Sequence, residues 1–154
     1  MRWLRPVVEG GEPDEPPWMP VARGEIGVKE FAGPADNPRI VQYLQSTSNI
    51  SSAEKQNDET FWCSAFVNWC VEEVGIEGSN SAAASDWLKW GKKIPKPVVG
   101  CITVFSRPGG GHVGFFMEQK DGLIYVLGGN QNDCVCIEGH DEGRLLGYRL
   151  NLKA

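Results

Sequence analysis

The sequence lacks two features that would place it in a common class, and it contains little histidine. No apolar run approaches the ~20 residues that a membrane-spanning helix needs. No cluster of lysine or arginine offsets the net charge of -5 at pH 7, which argues against nucleic-acid backbones and anionic membrane surfaces as main partners. Histidine occurs only as His112 and His140, so any histidine chemistry must use one of these two.

An export signal is also missing from the N-terminal stretch. MRWLRPVVEGGEPDEPPW has two arginines but no continuous apolar segment and no small-residue cleavage site, so it does not fit a signal peptide. We therefore expect synthesis in the cytoplasm, and action elsewhere would need a separate delivery route. Five cysteines, an odd number in a chain without such a signal, indicate reduced thiols and not a disulfide framework.

The pattern of apolar residues predicts helices first and strands second. Residues 1–17 are rich in proline, glycine and acid and predict an extended arm, and residues 18–154 predict a single domain. Helical spacing continues up to Gly91, whereas after residue 95 short β-type runs alternate with turn sequences such as RPGGG and KDG. This order is typical of an α+β fold with an antiparallel meander.

One cysteine has the surroundings of a nucleophile. In DETFWCSAFVNWC, apolar residues follow Cys63 at helical spacing, which predicts that Cys63 lies in the first turn of a helix. The unpaired N–H groups and the dipole of a helix start stabilise a thiolate and lower its pKa. The amide of Ser64 would then point toward the oxyanion that forms when the thiolate attacks a carbonyl. Cys70, two turns further on, is interpreted as a core residue.

A base for this nucleophile is offered by His112, which opens a predicted strand directly after RPGGG. The next strand ends in LGGNQND, and hairpin pairing brings that end near the start of the His112 strand. Asn130 is then placed to hydrogen-bond with the far nitrogen of the imidazole and to fix its tautomer. Cys63, His112 and Asn130 together predict a nucleophile, a base and an orienting residue.

The segments WCSAFVNWC, GSNSAAASDWLKWG, GHVGFF and LGGNQND resemble the papain-like cell-wall hydrolases of bacteria and phages. These are the NlpC-like and CHAP (cysteine, histidine-dependent amidohydrolase/peptidase) families, and the similarity is closest to a single-domain branch. It implies a papain-like fold in which N-terminal helices pack on a C-terminal antiparallel β-sheet. By resemblance, Cys63 takes the position of the nucleophile and His112 that of the base, and no cofactor is implied.

The resemblance also implies a substrate and a setting. Members of these families cleave amide bonds of peptidoglycan, so the chain would be an N-acetylmuramoyl-L-alanine amidase or a peptide-stem endopeptidase. It would act on the cell wall or in the periplasm, delivered by a holin as a phage endolysin or by a secretion system as an antibacterial effector. An effector would have an immunity protein as a partner. We expect a monomer that neither binds nucleic acid nor inserts into a membrane.

Three residues upstream of the nucleophile are further candidates for the site. Asn57 and Asp58 would supply a second oxyanion donor or a substrate contact, although a loop before a helix carries such residues as caps as well. Trp62 is a candidate for lining a substrate cleft, because exposed aromatic rings often bind sugars or peptides.

A metal site is the weaker interpretation of the remaining cysteines. Cys134 and Cys136 with His140 supply ligand types, but Cys-x-Cys is not the spacing of a structural zinc knuckle. His140 lies in the polar stretch GHDEG, which predicts a solvated turn. Two other functions stay open: a non-catalytic wall-binding or virion structural domain on the same fold, and a cysteine protease or transamidase that acts on proteins.

Overall fold

Within the residues that the structure describes, three α-helices precede the strands. The computed structural model describes residues 15–30, 37–47, 58–108 and 110–151, with the backbone alone for residues 58–61 and 110. The α-helices are α1 (Met19–Gly24), α2 (Pro38–Gln45) and α3 (Asp58–Glu73). The strands are β1 (Lys92–Ile94), β2 (Ile102–Arg107), β3 (Gly110–Lys120), β4 (Leu123–Gln131), β5 (Cys134–Asp141) and β6 (Leu145–Leu150). Short 3₁₀ helices cover Ala84–Lys89 and Glu142–Arg144.

The strands form one six-stranded sheet in the order β1-β6-β2-β3-β4-β5. Every pair of neighbours is antiparallel, and β2 to β5 follow one another as a meander. The predicted α+β class is therefore confirmed. No helix in the described ranges is long and apolar enough to cross a membrane. Of the predicted N-terminal arm, residues 1–14 lie outside the described residues.

Helix α2 begins where local chemistry favours a start. Asn37 caps α2, because its side chain accepts a hydrogen bond of 2.9 Å from the amide of Arg39, and Pro38 occupies the first helical position. Helix α3 begins at Asp58, five residues before Cys63. The prediction that Cys63 lies in the first helical turn is therefore wrong. The polar residues before Trp62 carry no apolar period, so the sequence pattern did not show this extension.

Apolar side chains cover both faces of the sheet. Helix α3 is buried along most of its length, as expected for a helix with apolar residues on all sides. It packs on the face that carries Val113, Phe115 and Leu127. The other face carries a second cluster around Phe105 and Val126. Because side chains alternate along a strand, His112 and Val113 leave opposite faces of β3.

Candidate active site

Cys63 lies where α3 meets the sheet. Its side chain is fully buried, and its Sγ accepts a hydrogen bond from the amide of Val113 in β3. Burial raises the pKa of the Cys63 thiol to about 11, although the amides of Val113 and Ser64 and the positive charge of Arg107 act in the opposite direction. The thiol is therefore neutral at neutral pH in this closed state. The sequence predicted a lowered pKa, and desolvation outweighs the effects on which that prediction rested.

His112 lies on the other face of β3, opposite Phe105 of β2. Its side chain is 1% exposed, and its ring lies 6.4 Å from the ring of Phe105 and 4.7 Å from that of His140, measured between centroids. Its Nε2 hydrogen-bonds with Oε1 of Gln131 at 2.8 Å. Its Nδ1 is buried and has no hydrogen-bond partner among the described residues. One ring nitrogen is thus held, and the other is available.

The side chain of Gln131 fixes the tautomer of this imidazole. Its Nε2 donates to the carbonyl oxygens of Cys136 at 2.7 Å and of Val126 at 3.3 Å. Since a carbonyl oxygen only accepts, the amide nitrogen must point toward these two groups, and Oε1 must point toward the histidine. An oxygen acceptor requires an N–H at Nε2 of His112. The neutral ring therefore has its lone pair at Nδ1, which is the position of a base.

The partner of His112 differs by one residue from the predicted Asn130. The pairing of β4 with β5 shifts between Gly128 and Gln131, and Asn130 has the left-handed φ of 57°. A bulge of this kind breaks the alternation of side chains. As a result Gln131 points toward His112. Asn130 is 8% exposed and, with His112 and Gln131, lines a polar cavity that is described below. Its part in orienting the ring stays a prediction.

Cys63 contacts the backbone of β3 directly after His112. The sulfur lies against the amide of Val113, the residue that follows His112. The ring's available nitrogen makes no hydrogen bond to the thiol, since Nδ1 has no partner within the described part of the chain. Catalytic hydrogen bonds are often unformed without substrate. The thiol therefore lies against the strand that carries His112, and no hydrogen bond joins it to Nδ1 of that ring.

The residues beside Cys63 are held in the core. Ser64 Oγ donates to the carbonyl of Ser81 at 2.6 Å and accepts from Nε1 of Trp87 at 2.8 Å. Trp62 is 1% exposed, and its Nε1 donates to Glu30 at 2.8 Å. The side chains of Ser64 and Trp62 thus pack and bond internally, and they present no surface to a substrate in this state.

The two remaining candidates for the site are Asp58 and Asn57. Asp58 is the first residue of the helix, and its side chain is not described. Asn57 lies outside the described residues. Their predicted contacts with an oxyanion or a substrate stay predictions.

His140 does not lie in a solvated turn, contrary to the sequence-based expectation. It belongs to β5, and its ring lies 4.9 Å from the ring of Phe105 and 4.7 Å from that of His112. Its Nε2 hydrogen-bonds with the same Oε1 of Gln131 at 3.0 Å. The polar stretch GHDEG predicted a turn because it has no apolar residue. The alternation of side chains along β5, however, places the ring of His140 on the face of the sheet that carries His112.

A polar cavity of about 340 Å³ lies beside the two histidines. It is lined by charged and amide side chains: Arg107, His112, Asn130, Gln131, Asn132, Asp133, Glu138 and His140. Charged groups of both signs line it, so it suits a polar ligand better than an apolar one.

Cys134 and Cys136 both contact the backbone of Gln131, which lines this cavity. Their Sγ atoms donate to the carbonyl oxygen of Gln131 at 3.2 and 3.4 Å. Within the described ranges, no group of three or more histidine, cysteine or acidic residues could hold a metal ion. The metal interpretation therefore receives no structural support from these residues.

In the comparison with known proteins, a family model matches the segment that carries Cys63 and His112. No curated protein matches the chain. The family model of the CHAP domain matches residues 55–130, a range that runs from before α3 to Asn130 in β4 and includes Cys63 and His112. This match confirms the resemblance seen in the motifs for that segment of the chain.

Proposed function

We propose that this protein is a peptidoglycan hydrolase that cleaves an amide bond through a covalent thioester on Cys63. The bond is either the N-acetylmuramoyl–L-alanine link or one within the peptide stem. The observation that carries the proposal is the state of His112: Nε2 is held by Gln131, and Nδ1 is a buried, unpaired acceptor on the strand that contacts Cys63. Match to the CHAP domain family supports the same reaction class, cysteine- and histidine-dependent amide hydrolysis.

The proposed reaction begins with proton transfer from Cys63 to His112. Nδ1 takes the proton of the thiol while Sγ attacks the carbonyl carbon of the amide. The amide of Ser64, which already points at the sulfur, would donate to the developing oxyanion. Gln131 Oε1 accepts from Nε2–H throughout, and this hydrogen bond strengthens when the ring becomes an imidazolium.

The second half of the reaction uses the same nitrogen as an acid and then as a base. Nδ1–H gives its proton to the leaving amine, so the C–N bond breaks and a thioester to Cys63 is left. Nδ1 then removes a proton from a water molecule that attacks the thioester. The released thiolate takes this proton back, which restores Cys63 and neutral His112.

Substrate access requires the site to open. Cys63 is fully buried and His112 is 1% exposed in this state, so a substrate carbonyl cannot approach the sulfur without movement of neighbouring groups. Opening would also hydrate the thiol and reduce the burial that raises its pKa. We propose that substrate binding and thiol activation are coupled for this reason.

The remaining features of the proposal concern the fold and the setting. We propose papain-like packing, supported by α3, which carries the cysteine and packs against the β3 and β4 strands. We also propose that residues 18–154 act as one domain and that the protein is a monomer. Its setting would be that of a phage endolysin or of an antibacterial effector with an immunity partner, acting on the cell wall after delivery by a holin or a secretion system.

The test is digestion of purified peptidoglycan followed by mass spectrometry of the fragments. We expect the parent to release either intact stem peptides with a free N-terminal alanine, which identifies an amidase, or shortened stems, which identify an endopeptidase. Cys63→Ala and His112→Ala should each lose activity about 1,000-fold or more, and the double variant should be scarcely worse, because the two residues act as a unit.

Cys101→Ala is the matched control, since it removes another fully buried thiol from the opposite cluster. It should keep its activity after allowance for any loss of stability. A parent that leaves peptidoglycan intact would overturn the proposal. Cleavage of a protein substrate would then favour the protease alternative, and a folded but inert parent would favour a non-catalytic wall-binding domain.

A further inference from the structure

Gln131 offers one oxygen to two histidines. Its Oε1 lies 2.8 Å from Nε2 of His112 and 3.0 Å from Nε2 of His140. The amide orientation is fixed by the two backbone carbonyls that its Nε2 contacts. Both rings must therefore present an N–H to the same acceptor, which uses both lone pairs of the carbonyl oxygen. The state of one ring thus affects the contact made by the other.

The rings also restrict each other sterically. His140 lies 4.7 Å from His112 at an interplanar angle of 35° and 4.9 Å from Phe105 at 34°. The ring of His112 is closed in by these two neighbours and by Gly128, where even a Cβ would lie only 3.5 Å from Nε2. A 180° flip of the ring, which would place Cε1 where Nε2 now contacts Gln131, would have to displace His140 or break its hydrogen bond.

Burial and the surrounding charges keep His140 neutral in the working range of pH. Burial opposes a positive charge on the ring, as do Arg107 and Arg144, and the pKa of His140 is lowered to about 4. His112 faces it on β3, and Glu138 lies 3.9 Å away on β5 as the opposing negative group. A neutral His140 that donates through Nε2 therefore persists while His112 gains and loses a proton.

We propose that His140 is a positioning residue that keeps His112 in the tautomer with its lone pair at Nδ1. It acts through the shared oxygen of Gln131 and through ring contact, and it does not touch the substrate. This inference rests on the proposed function for its effect on turnover. Its structural part, the control of the His112 tautomer, can be measured without any substrate.

The experiment separates the hydrogen bond of His140 from its ring. His140→Phe keeps a planar ring and removes the N–H, whereas His140→Gln keeps an N–H donor and removes the ring. The ring nitrogens are observed by NMR at about pH 7 in protein labelled with ¹⁵N-histidine. The sequence has two histidines, so the spectrum is simple. In each His140 variant the remaining histidine signals are those of His112.

In the parent we expect both rings to carry the proton at Nε2. His140→Phe removes one of the two donors that hold Oε1 of Gln131, so the hydrogen bond from that oxygen to Nε2 of His112 should loosen. The His112 signals should then move toward a mixture of tautomers, and His140→Gln should restore the single tautomer at least in part. On peptidoglycan, His140→Phe should lower kcat about tenfold and leave KM within about twofold. Ile137→Ala, an exposed change on the same strand, is the control and should alter neither readout.

An unchanged His112 tautomer in His140→Phe would overturn the inference, whatever the activity. If His140→Phe does not fold, His140→Gln and His140→Asn decide the question, because a longer and a shorter donor should differ in how much of the tautomer they retain. A parent that does not cleave peptidoglycan but shows the tautomer shift in His140→Phe would reject the proposed function and leave the positioning role standing.

Discussion

The amide of Gln131 determines which nitrogen of His112 can accept a proton. Its own orientation follows from two backbone carbonyls, and these belong to β4 and β5. The chain of constraints therefore runs from the pairing of two strands to a side-chain amide, then to a tautomer. Each step uses the rule that a carbonyl oxygen accepts and does not donate.

Replacing Gln131 should cost more activity than removing the neighbouring amide. Gln131→Ala removes the acceptor at Nε2 of His112 and leaves buried donors unpaired, so we expect peptidoglycan cleavage to fall about 10- to 100-fold and the melting temperature to drop. Asn130→Gly removes the Asn130 side chain but tolerates the left-handed φ of 57°. Its kcat should stay within a few-fold of the parent, as measured by release of soluble fragments.

Asn130→Ala is the necessary companion, because it has the same loss of side chain with added backbone strain. It should be less stable than Asn130→Gly while showing similar kcat. If Asn130→Gly is as inactive as Gln131→Ala, the orienting role predicted for Asn130 gains support.

Residue patterns predicted some of the candidate site and missed other parts for physical reasons. The helical spacing around Cys63 and the glycines before His112 pointed to both residues. Gln131 was missed because the β-bulge that turns it inward depends on pairing between strands, which one sequence does not display. His140 was missed because partners across the sheet, and not its own polar neighbours, decide its burial.

Helix α3 packs on one face of strand β4, and His112 and His140 lie on the other face. A Cβ at Gly129 would lie 2.8 Å from Cβ of Phe66 and 2.9 Å from the ring of Trp62 on the α3 side. A Cβ at Gly128 would lie 3.0 Å from Oε1 of Gln131 on the other side. The two glycines thus allow α3 and the site to approach β4 from opposite faces.

Gly129→Ala should therefore destabilise the protein. The added methyl group must displace α3 or the strand, and overpacking of this kind costs about 1–3 kcal/mol. Urea unfolding measures the loss as a lower midpoint with an unchanged slope. Gly24→Ala is the control, because a Cβ there meets nothing within 4 Å. Equal stability of both variants would show that α3 does not press on β4 as described.

Elements were predicted more accurately than the contacts between them. The predicted β-type runs each overlap a strand, although residues 98–101 of the first run precede β2. These runs are VVGCITVF, HVGFFMEQ, LIYVLGG, CVCIEG and LLGYRLNL. Strand β4 continues to Gln131, however, and so includes the first residues of GNQND, a segment whose composition predicted a turn. Turn-forming residues such as Asn130 mark a bulge as readily as a turn, since both use a left-handed backbone.

The folded protein should lose stability as pH falls from about 7 toward 4. Burial lowers the pKa of His112 to about 3 and that of His140 to about 4, from an ordinary value of 6.5. Between these values the unfolded chain binds protons that the folded chain does not, so acid favours unfolding. For His112 the effect reaches at most about 1.4 kcal/mol per pH unit.

Urea unfolding of parent and His112→Gln at several pH values measures this effect. The variant should show a shallower fall in unfolding free energy between pH 6.5 and 4.5, and above pH 7 the two curves should run parallel. Carboxylate titration contributes equally to both proteins and cancels in the difference. Identical slopes would mean that His112 is hydrated and not buried as a neutral ring.

The burial of Cys63 has a consequence for the lifetime of the protein before it reaches a substrate. Oxidation of a cysteine by peroxide begins with the thiolate and requires access to the sulfur. A neutral thiol with no exposed surface offers neither. The closed form should therefore pass through oxidising surroundings with its sulfur still reduced, and the same opening that admits a substrate would begin its exposure to damage.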